Sequence, residues 1–301
     1  MVRFALLPLK RFLYYSGLGR SIFLDAQGRA KIRKMEVYVT NACNLRCLFC
    51  CHLNPFRKGI CSADELIHSF EIWKNKVTPK KLGLLGGEPL LHPELERIVE
   101  AARRCWPESR IVLTSNALLF PKKPQSLLTT LKDCGVQVLL SRHLTDEEGE
   151  KQFQEICDRL KNAGVWVTIV PSSGRWKRYY EIDDEGRPQP FHSRPEKAWT
   201  MCGPNTCFNL TNNKLYRCSI LANAALAYQE GAVGEKWAVT QTYKPLTEEA
   251  SPSEIVEHLF LMHGPLAACS ICPETTVVVE AEQLQRVQKI MDSVEERQVK
   301  P

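Results

Sequence analysis

No apolar stretch in the 301 residues approaches the ~18 consecutive residues that a bilayer-spanning helix needs. A secretory signal is missing as well: Met1-Val-Arg-Phe-Ala-Leu-Leu-Pro-Leu-Lys breaks after four apolar residues. The expected location is therefore cytoplasmic, where clustered cysteines bind metal more often than they pair as disulfides. Acid is nearly absent from residues 1–34, where Asp25 alone stands against Arg3, Lys10, Arg11, Arg20, Arg29, Lys31, Arg33 and Lys34. That head carries +7 of a chain whose net charge is +6, so the remainder is close to neutral. No basic–aromatic stripe recurs further on, and no nucleic acid is expected as a partner. The head also holds Phe4, Leu6, Leu7, Leu9, Phe12, Leu13 and Tyr14, and Pro8 is expected to interrupt any helix there. The reading adopted is an arm that packs its apolar residues on the body and solvates its charges. Membrane contact through residues 1–34 is the alternative.

What the chain has in excess is cysteine, thirteen in all, an odd number that fits poorly with a set of disulfides. Three fall in Cys43-Asn-Leu-Arg-Cys47-Leu-Phe-Cys50. Three thiolates at CxxxCxxC spacing can hold three irons of a [4Fe–4S] cube and leave the fourth iron open to a ligand. Structural zinc sites are usually closed by four ligands from CxxC pairs. The adjoining Cys51 and His52 would crowd such a tetrahedron. On spacing alone, zinc stays open as the competing reading.

From residue 35 strand-like and helix-like runs alternate. Met35–Thr40 reads as a strand leading into the cysteine loop. Ser62-Ala-Asp-Glu65 is a capping box opening a helix to about Asn75. Further strands are expected at Lys81–Gly86, Arg110–Thr114, Val136–Leu140 and Gly164–Val170. Helices are expected at His92–Cys105, 125–134 and Thr145–Asn162. Alternation of this kind implies a parallel α/β sheet. Five strands between residues 35 and 171 are too few for a closed eight-strand barrel of ~250 residues, so the expected form is a partial (β/α) barrel of about five to six parallel strands. Its functional edge is the C-terminal end of the strands. Pro171–Thr200 is polar and irregular, with four prolines. A small α+β cysteine-rich domain then follows. In it, Phe208–Thr211 and Lys214–Cys218 form a hairpin across Asn212-Asn213, and a helix occupies 252–263. Val277–Glu280 is ambiguous, and 281–298 reads as a charged helix. The expected division is a basic arm (1–34), a partial barrel (35–194), a cysteine-rich domain (195–285) and a tail (286–301).

The second strand ends in Gly86-Gly87-Glu88-Pro89. Glycine admits close backbone approach, and a carboxylate can accept from an ammonium group. Thr114-Ser115-Asn116 and Ser141 occupy matching strand ends. With CxxxCxxC after strand one, Phe49 before the third cysteine and Gly-Gly-Glu-Pro after strand two, residues 35–171 resemble the radical S-adenosylmethionine (SAM) enzymes. The resemblance implies that Cys43, Cys47 and Cys50 hold a [4Fe–4S] cluster whose open iron binds SAM. Reductive cleavage would then give a 5′-deoxyadenosyl radical. It implies further that Gly86, Gly87 and Glu88 face the methionine part, Phe49 the adenine, and Ser115, Asn116 and Ser141 the ribose or carboxylate. A flavodoxin- or ferredoxin-type electron donor is the family expectation.

Cys202, Cys218, Cys269 and Cys272 supply four more thiolates, enough to close a second cluster. This arrangement is similar to the Twitch domain, the shortened relative of the SPASM domain, with Asn213 in place of the family's turn glycine. A zinc ribbon is the competing reading for these cysteines. Cys207 is surplus and could replace Cys202 as ligand, donate a hydrogen atom, or be buried. Cys51, Cys61, Cys105, Cys134 and Cys157 have no partner spacing, and the last three fall on helices. Arg142 and His143 follow strand four and are candidates to orient substrate or move a proton. Trp176, Tyr179, Tyr180, Glu181 and His192 lie in the connection placed to cover the cavity. The resemblance favours a small-molecule substrate and a dehydrogenation of the aminocyclitol dehydrogenase type, with the second cluster as electron acceptor. Peptide modification is the alternative, and a non-catalytic metal scaffold is the reading from another class.

Overall fold

The structure is a computed structural model, and it describes residues 7–143, 147–170, 178–202, 207–261 and 264–277. Trp176, the start of the helix expected at Thr145, and the helix expected over 281–298 lie outside these residues. So does most of Val277–Glu280.

The chain begins with two short helices, α1 (Leu7–Tyr15) and α2 (Arg20–Phe23). Helix α1 corrects the expectation at Pro8. The proline stands in the first turn, where a backbone N–H has no intrahelical acceptor, so its missing donor costs nothing. The alternating core follows as β1 (Ala30–Thr40), α3 (Ala63–Trp73), β2 (Val77–Gly86), α4 (Leu95–Cys105), β3 (Arg110–Ser115), α5 (Gln125–Asp133), β4 (Gln137–Ser141), α6 (Glu147–Asn162) and β5 (Trp166–Val170). Strand β1 starts inside the basic head, five residues before the expected Met35. Ser62 caps α3, accepting from Glu65 N at 3.4 Å.

Two short strands, β6 (Glu181–Ile182) and β7 (Pro188–Gln189), and helix α7 (Pro195–Met201) occupy the irregular connection. The hairpin is β8 (Phe208–Thr211) and β9 (Lys214–Tyr216), with Asn212 and Asn213 at φ 48° and 55°. Asn213 does more than tolerate the turn. Its Oδ1 accepts from Ser69 Oγ and Trp73 Nε1, both at 3.0 Å, which ties the turn to α3 in a way a glycine could not. Helix α8 (Ser219–Gln229), a 3-10 segment (Glu235–Thr242), helix α9 (Pro252–Val256) running into a π turn (Glu257–Leu261), and a 3-10 turn (Ala267–Ile271) complete the described chain.

The main sheet of the described residues has the order β5-β4-β3-β2-β1-β8-β9. Strands β1 to β5 pair parallel in succession. Strand β8 is parallel to β1, with Glu36 opposite Asn209, and only β9 runs antiparallel. The six parallel strands form the expected α/β partial barrel. One placement differs: the hairpin expected in the smaller domain extends the main sheet. Met35-Glu36-Val37, read from sequence, carry no sign that a strand about 170 residues further on will pair there.

Alternate residues of β1 divide its two faces. Met35, Val37 and Val39 join the core beneath the outer helices, with Phe70, Trp73, Leu84, Ile98 and Leu113. Glu36, Tyr38 and Thr40 face the inside, where α8 packs. Ser219 Oγ reaches Glu36 Oε2 at 2.5 Å, and Asn223 Nδ2 reaches the Tyr38 hydroxyl at 2.8 Å. The head departs from its expected packing. Tyr14 and Phe23 contact each other edge-on and are at least partly buried, but Leu9, Phe12, Leu18 and Ile22 are exposed. No candidate membrane span occurs among the described residues.

Candidate functional site

The C-terminal ends of β1 and β2 are stitched backbone to backbone. Gly87 N donates to Thr40 O and Glu88 N to Ala42 O, each at 2.8 Å. A Cβ on Gly86 would lie 2.1 Å from Thr40 O, and one on Gly87 would lie 2.0 Å from Ala42 O. The paired glycines therefore let the start of the cysteine loop lie directly on the end of β2. Asn54 Nδ2 holds the loop from its other end, donating to Asn41 O at 2.6 Å.

Glu88 is 1% exposed and turns its carboxylate inward. It accepts from Ser115 Oγ and Asn116 N at 2.8 Å and from Leu90 N at 3.1 Å. Burial raises its pKa, and these donors oppose the rise. Glu88 thus organises the end of β3, and Asn116 Nδ2 passes the link on to Asn44 Oδ1 in the cysteine loop at 2.8 Å.

These strand ends surround a cavity of about 320 Å³. Cys43, Cys47 and Cys50 line it, with Phe49, Gly86, Gly87, Glu88, Ser115, Asn116, Ser141 and His143. Burial pushes the Cys47 thiol up to about 12, and the neighbouring Cys50 and Cys43 add to the rise. Cys43 Sγ accepts from Leu45 N at 3.4 Å, the kind of N–H···S bond that tunes a ligating sulfur. Three thiols that lose so much by ionising bare are suited to bind as thiolates to a strongly positive partner. Among the described residues no three Cys, His, Asp or Glu side chains converge as ligands of one ion. A cubane, with each ligand on its own iron, asks for wider spacing, and this donor set fits it.

His143 stands between Cys47 and Ser141. Its Nδ1 is 3.7 Å from Cys47 Sγ and its Nε2 3.2 Å from Ser141 Oγ, while Ser141 Oγ also reaches Ser115 O at 3.2 Å. When the hydroxyl donates to Ser115 O, the imidazole donates from Nε2 and keeps Nδ1 as an acceptor. Burial lowers its pKa, so the ring is neutral near pH 7.

Arg142 does not join the cavity lining. Its guanidinium lies 5.1 Å from the centroid of Phe153 and 3.2 Å from Glu150 Oε1, both on α6. The residue after the last strand position is free of the strand's alternation, and the pair on α6 captures it. Cys207 is also elsewhere. It is buried beside Glu36 and Ser219, whose Oγ lies 3.4 Å from its sulfur, and it lines neither cysteine cavity. Of the residues in the long connection, Tyr179 lines the cavity. Tyr180 is buried behind it, 5.8 Å from the Phe49 ring, Glu181 pairs with Arg178, and His192 is exposed.

The four later cysteines also meet. Cys202, Cys218, Cys269 and Cys272 line one small cavity with Trp199, Leu221, Leu266, Ile271 and Arg217. The wall includes Cys202 and not Cys207. Burial raises Cys218 to about 12 and Cys272 well above its ordinary value, and the neighbouring thiols add to both. Leu266 N donates to Cys269 Sγ at 3.4 Å, repeating the bond at Cys43. Arg217, buried and held by Gly264 O at 3.1 Å, brings a positive charge to the thiols.

Several supporting residues escaped the sequence reading. Arg57 closes the first cysteine loop and donates from Nε and Nη2 to Glu230 at 2.9 and 2.7 Å, and from Nη1 to Asn223 Oδ1 at 3.1 Å. Asn223 lies within α8, the helix that Cys218 precedes, and Glu230 caps its C-terminal end. His52 lines the first cavity and bonds Gly86 O at 2.9 Å. His52 and Cys51 stood in the sequence as crowding neighbours; both line this cavity.

Residues 37–171 match the family model described as the Radical SAM superfamily, so this segment is a domain of that superfamily. The family implies a [4Fe–4S] cluster and SAM. Curated proteins similar to the chain include the GTP 3′,8-cyclase of Sulfurovum sp. (strain NBC37-1), 30% identical over 169 residues that make up 51% of this chain and 50% of that one. The GTP 3′,8-cyclase of Aquifex aeolicus (strain VF5) is 28% identical over 154 residues, 50% of this chain and 46% of that one. The chain thus spans about half the length of these relatives. Among solved structures, BtrN in complex with AdoMet and 2-DOIA overlaps 70% of this chain and 86% of its own at 14% identity and a TM-score of 0.41. SuiB of Streptococcus suis bound to precursor peptide SuiA overlaps 56% of this chain and 46% of its own at 16% identity and 0.39. Overlaps this loose carry no functional weight.

Proposed function

We propose that this chain is a radical SAM enzyme that takes a hydrogen atom from a small neutral polar substrate, with dehydrogenation as the outcome. One observation carries the reading: Cys43, Cys47 and Cys50 share a cavity with Gly86, Gly87 and Glu88 and with the polar ends of β3 and β4. When bound there, the cluster and SAM supply a 5′-deoxyadenosyl radical. The chain supplies the rest. Gly87 and Glu88 hold the rim of the site at fixed distance from the loop. Phe49 offers an apolar face for adenine, with the Arg178 guanidinium 5.4 Å behind its ring. Thr114, Ser115, Asn116, Ser141 and Tyr179 present neutral hydrogen-bonding groups suited to hydroxyls. His143, neutral in the cavity wall, takes the proton that a carbon-centred alcohol radical must lose.

The four thiols of the second cavity would hold the electron acceptor that a two-electron oxidation needs. A peptide substrate is the weaker variant of this reading. A GTP 3′,8-cyclase-type reaction is a second reading, favoured by the names of the curated relatives over the half of the chain they match.

The test is anaerobic reconstitution with iron and sulfide, followed by SAM and dithionite. About eight irons in the wild type and about four in the Cys43→Ala/Cys47→Ala/Cys50→Ala variant are expected, with 5′-deoxyadenosine made by the wild type alone. Zinc in place of iron, or intact SAM, would sink the enzyme reading. Incubation with GTP separates the second reading from the first.

A further inference from the structure

Half of the exposed large apolar side chains among the described residues fall between Leu9 and Ile22. Leu9, Phe12, Leu18 and Ile22 are 52%, 61%, 77% and 60% exposed. This exposure does not come from an undocked arm. One face of the head is pinned to the body: the Tyr15 hydroxyl donates to Glu257 Oε1 at 2.7 Å, and Phe23, which the Tyr14 ring meets at 5.6 Å, packs against Phe260 at 6.0 Å. Gly19 N closes the turn between the two helices on Leu13 O at 2.8 Å. The apolar side chains are held outward by a fixed scaffold.

Cations surround them. Lys10 and Arg11 on α1, Arg20 on α2, and Lys31 and Arg33 on the outer part of β1 are all exposed. The first 34 residues hold a single acid, Asp25, and its carboxylate is already committed to Arg29 at 2.7 Å and Thr78 at 2.6 Å. A water-facing surface gains nothing from four large apolar side chains, and a protein partner of average charge gains nothing from this many cations. An anionic lipid surface satisfies both, with the apolar groups entering the headgroup boundary and the cations resting on the phosphates.

We propose that the face formed by α1, α2 and the start of β1 docks on an anionic membrane surface without spanning it. It lies where the chain enters β1, at the opposite end of that strand from the cysteine loop. A docked molecule therefore keeps its cavity mouth in water.

The experiment is co-sedimentation of the full chain with vesicles of phosphatidylcholine alone or with about 30% phosphatidylglycerol, at low and high salt. Binding to the anionic vesicles should be at least about tenfold the stronger and should fall as salt rises. Phe12→Glu/Leu18→Glu should abolish binding, and Lys10→Glu/Arg20→Glu should bring it to the level seen with neutral lipid. Both variants sit on exposed positions and should keep the wild-type melting temperature. Equal binding to the two vesicles overturns the proposal. So does no vesicle binding, whether the wild type sediments as a monomer or as a dimer that Phe12→Glu/Leu18→Glu splits. The dimer result would make the face a contact between two copies. None of these readouts depends on SAM cleavage.

Discussion

The two sets of cysteines lie in opposite surroundings. Cys43, Cys47 and Cys50 border a roomy cavity whose other walls mix hydroxyls, amides, a carboxylate and two imidazoles with Leu45, Leu48, Phe49 and Leu85. Cys202, Cys218, Cys269 and Cys272 close on a small space lined by tryptophan, leucine and isoleucine, with Arg217 as its charged neighbour. Three thiols at CxxxCxxC spacing, with Cys51 beside them, and a partly polar wall leave room for a reactant. Four thiols and an apolar wall leave none, and they suit a group that stores charge instead of meeting substrate. The room inside and the share of polar groups in the walls agree at each site, and this agreement supports reading one as reactive and the other as closed.

The strongest way to break the comparison is to remove one set at a time. Cys43→Ala/Cys47→Ala/Cys50→Ala should abolish 5′-deoxyadenosine formation and leave the circular dichroism spectrum unchanged. Cys218→Ala/Cys272→Ala should instead lower the melting temperature of the reconstituted protein sharply, because both thiols line the small cavity between the C-terminal segments they join. Equal effects from the two variants would erase the distinction.

Gly87→Ala comes next. Its Cβ would press on a backbone carbonyl, so the strand end must move, at roughly 3 kcal/mol in a denaturant titration. Iron retained at the second site alone would localise the damage to the first.

Arg57→Ala should cost about 2 kcal/mol. The arginine side chain is 4% exposed but Glu230 is 41% exposed, so solvent weakens the pair well below a fully buried one. Loss of stability with SAM cleavage unchanged would show that the clamp merely joins the halves.

The smallest effect expected is on pH. Burial lowers His258 to about 4, with Arg217 adding to the fall. The unfolded chain then binds a proton that the folded chain refuses. Stability should decline as pH drops from about 6.5 toward 4, by at most about 2 kcal/mol after screening, and level off below. His258→Gln should flatten that decline. Because His258 bonds the Tyr243 hydroxyl at 3.0 Å, and that hydroxyl accepts from Arg217 N, acid should loosen the second site before the first.

The parts legible in the sequence were those with a period or a spacing. Strands β1 to β5 alternate or run apolar between capped amphipathic helices, and each cysteine set lines a single cavity. Helix α8 was not legible, for a physical reason: Ser219 to Ala227 are buried on every side, so no amphipathic period marks them. Arg57, Asn223 and Glu230 stayed hidden with it, since a polar clamp across distant segments leaves no local pattern. His143 reaches the cavity and Arg142 does not. Adjacent residues past a strand end are sorted by the side chains around them, here Cys47 for one and Phe153 with Glu150 for the other.

The pairing of β8 with β1 also has a consequence for the order in which the chain is made. Met35, Glu36 and Val37 leave the ribosome early, yet their second hydrogen-bonding neighbours, Phe208 to Leu210, arrive only after all of α3 to α7. Until then β1 offers an open row of amides and carbonyls to any passing strand. A fragment cut after residue 171 would carry the complete family segment and still keep that edge bare. It should come out of the cell as aggregate, and supplying residues 178–277 as a second chain should rescue part of it.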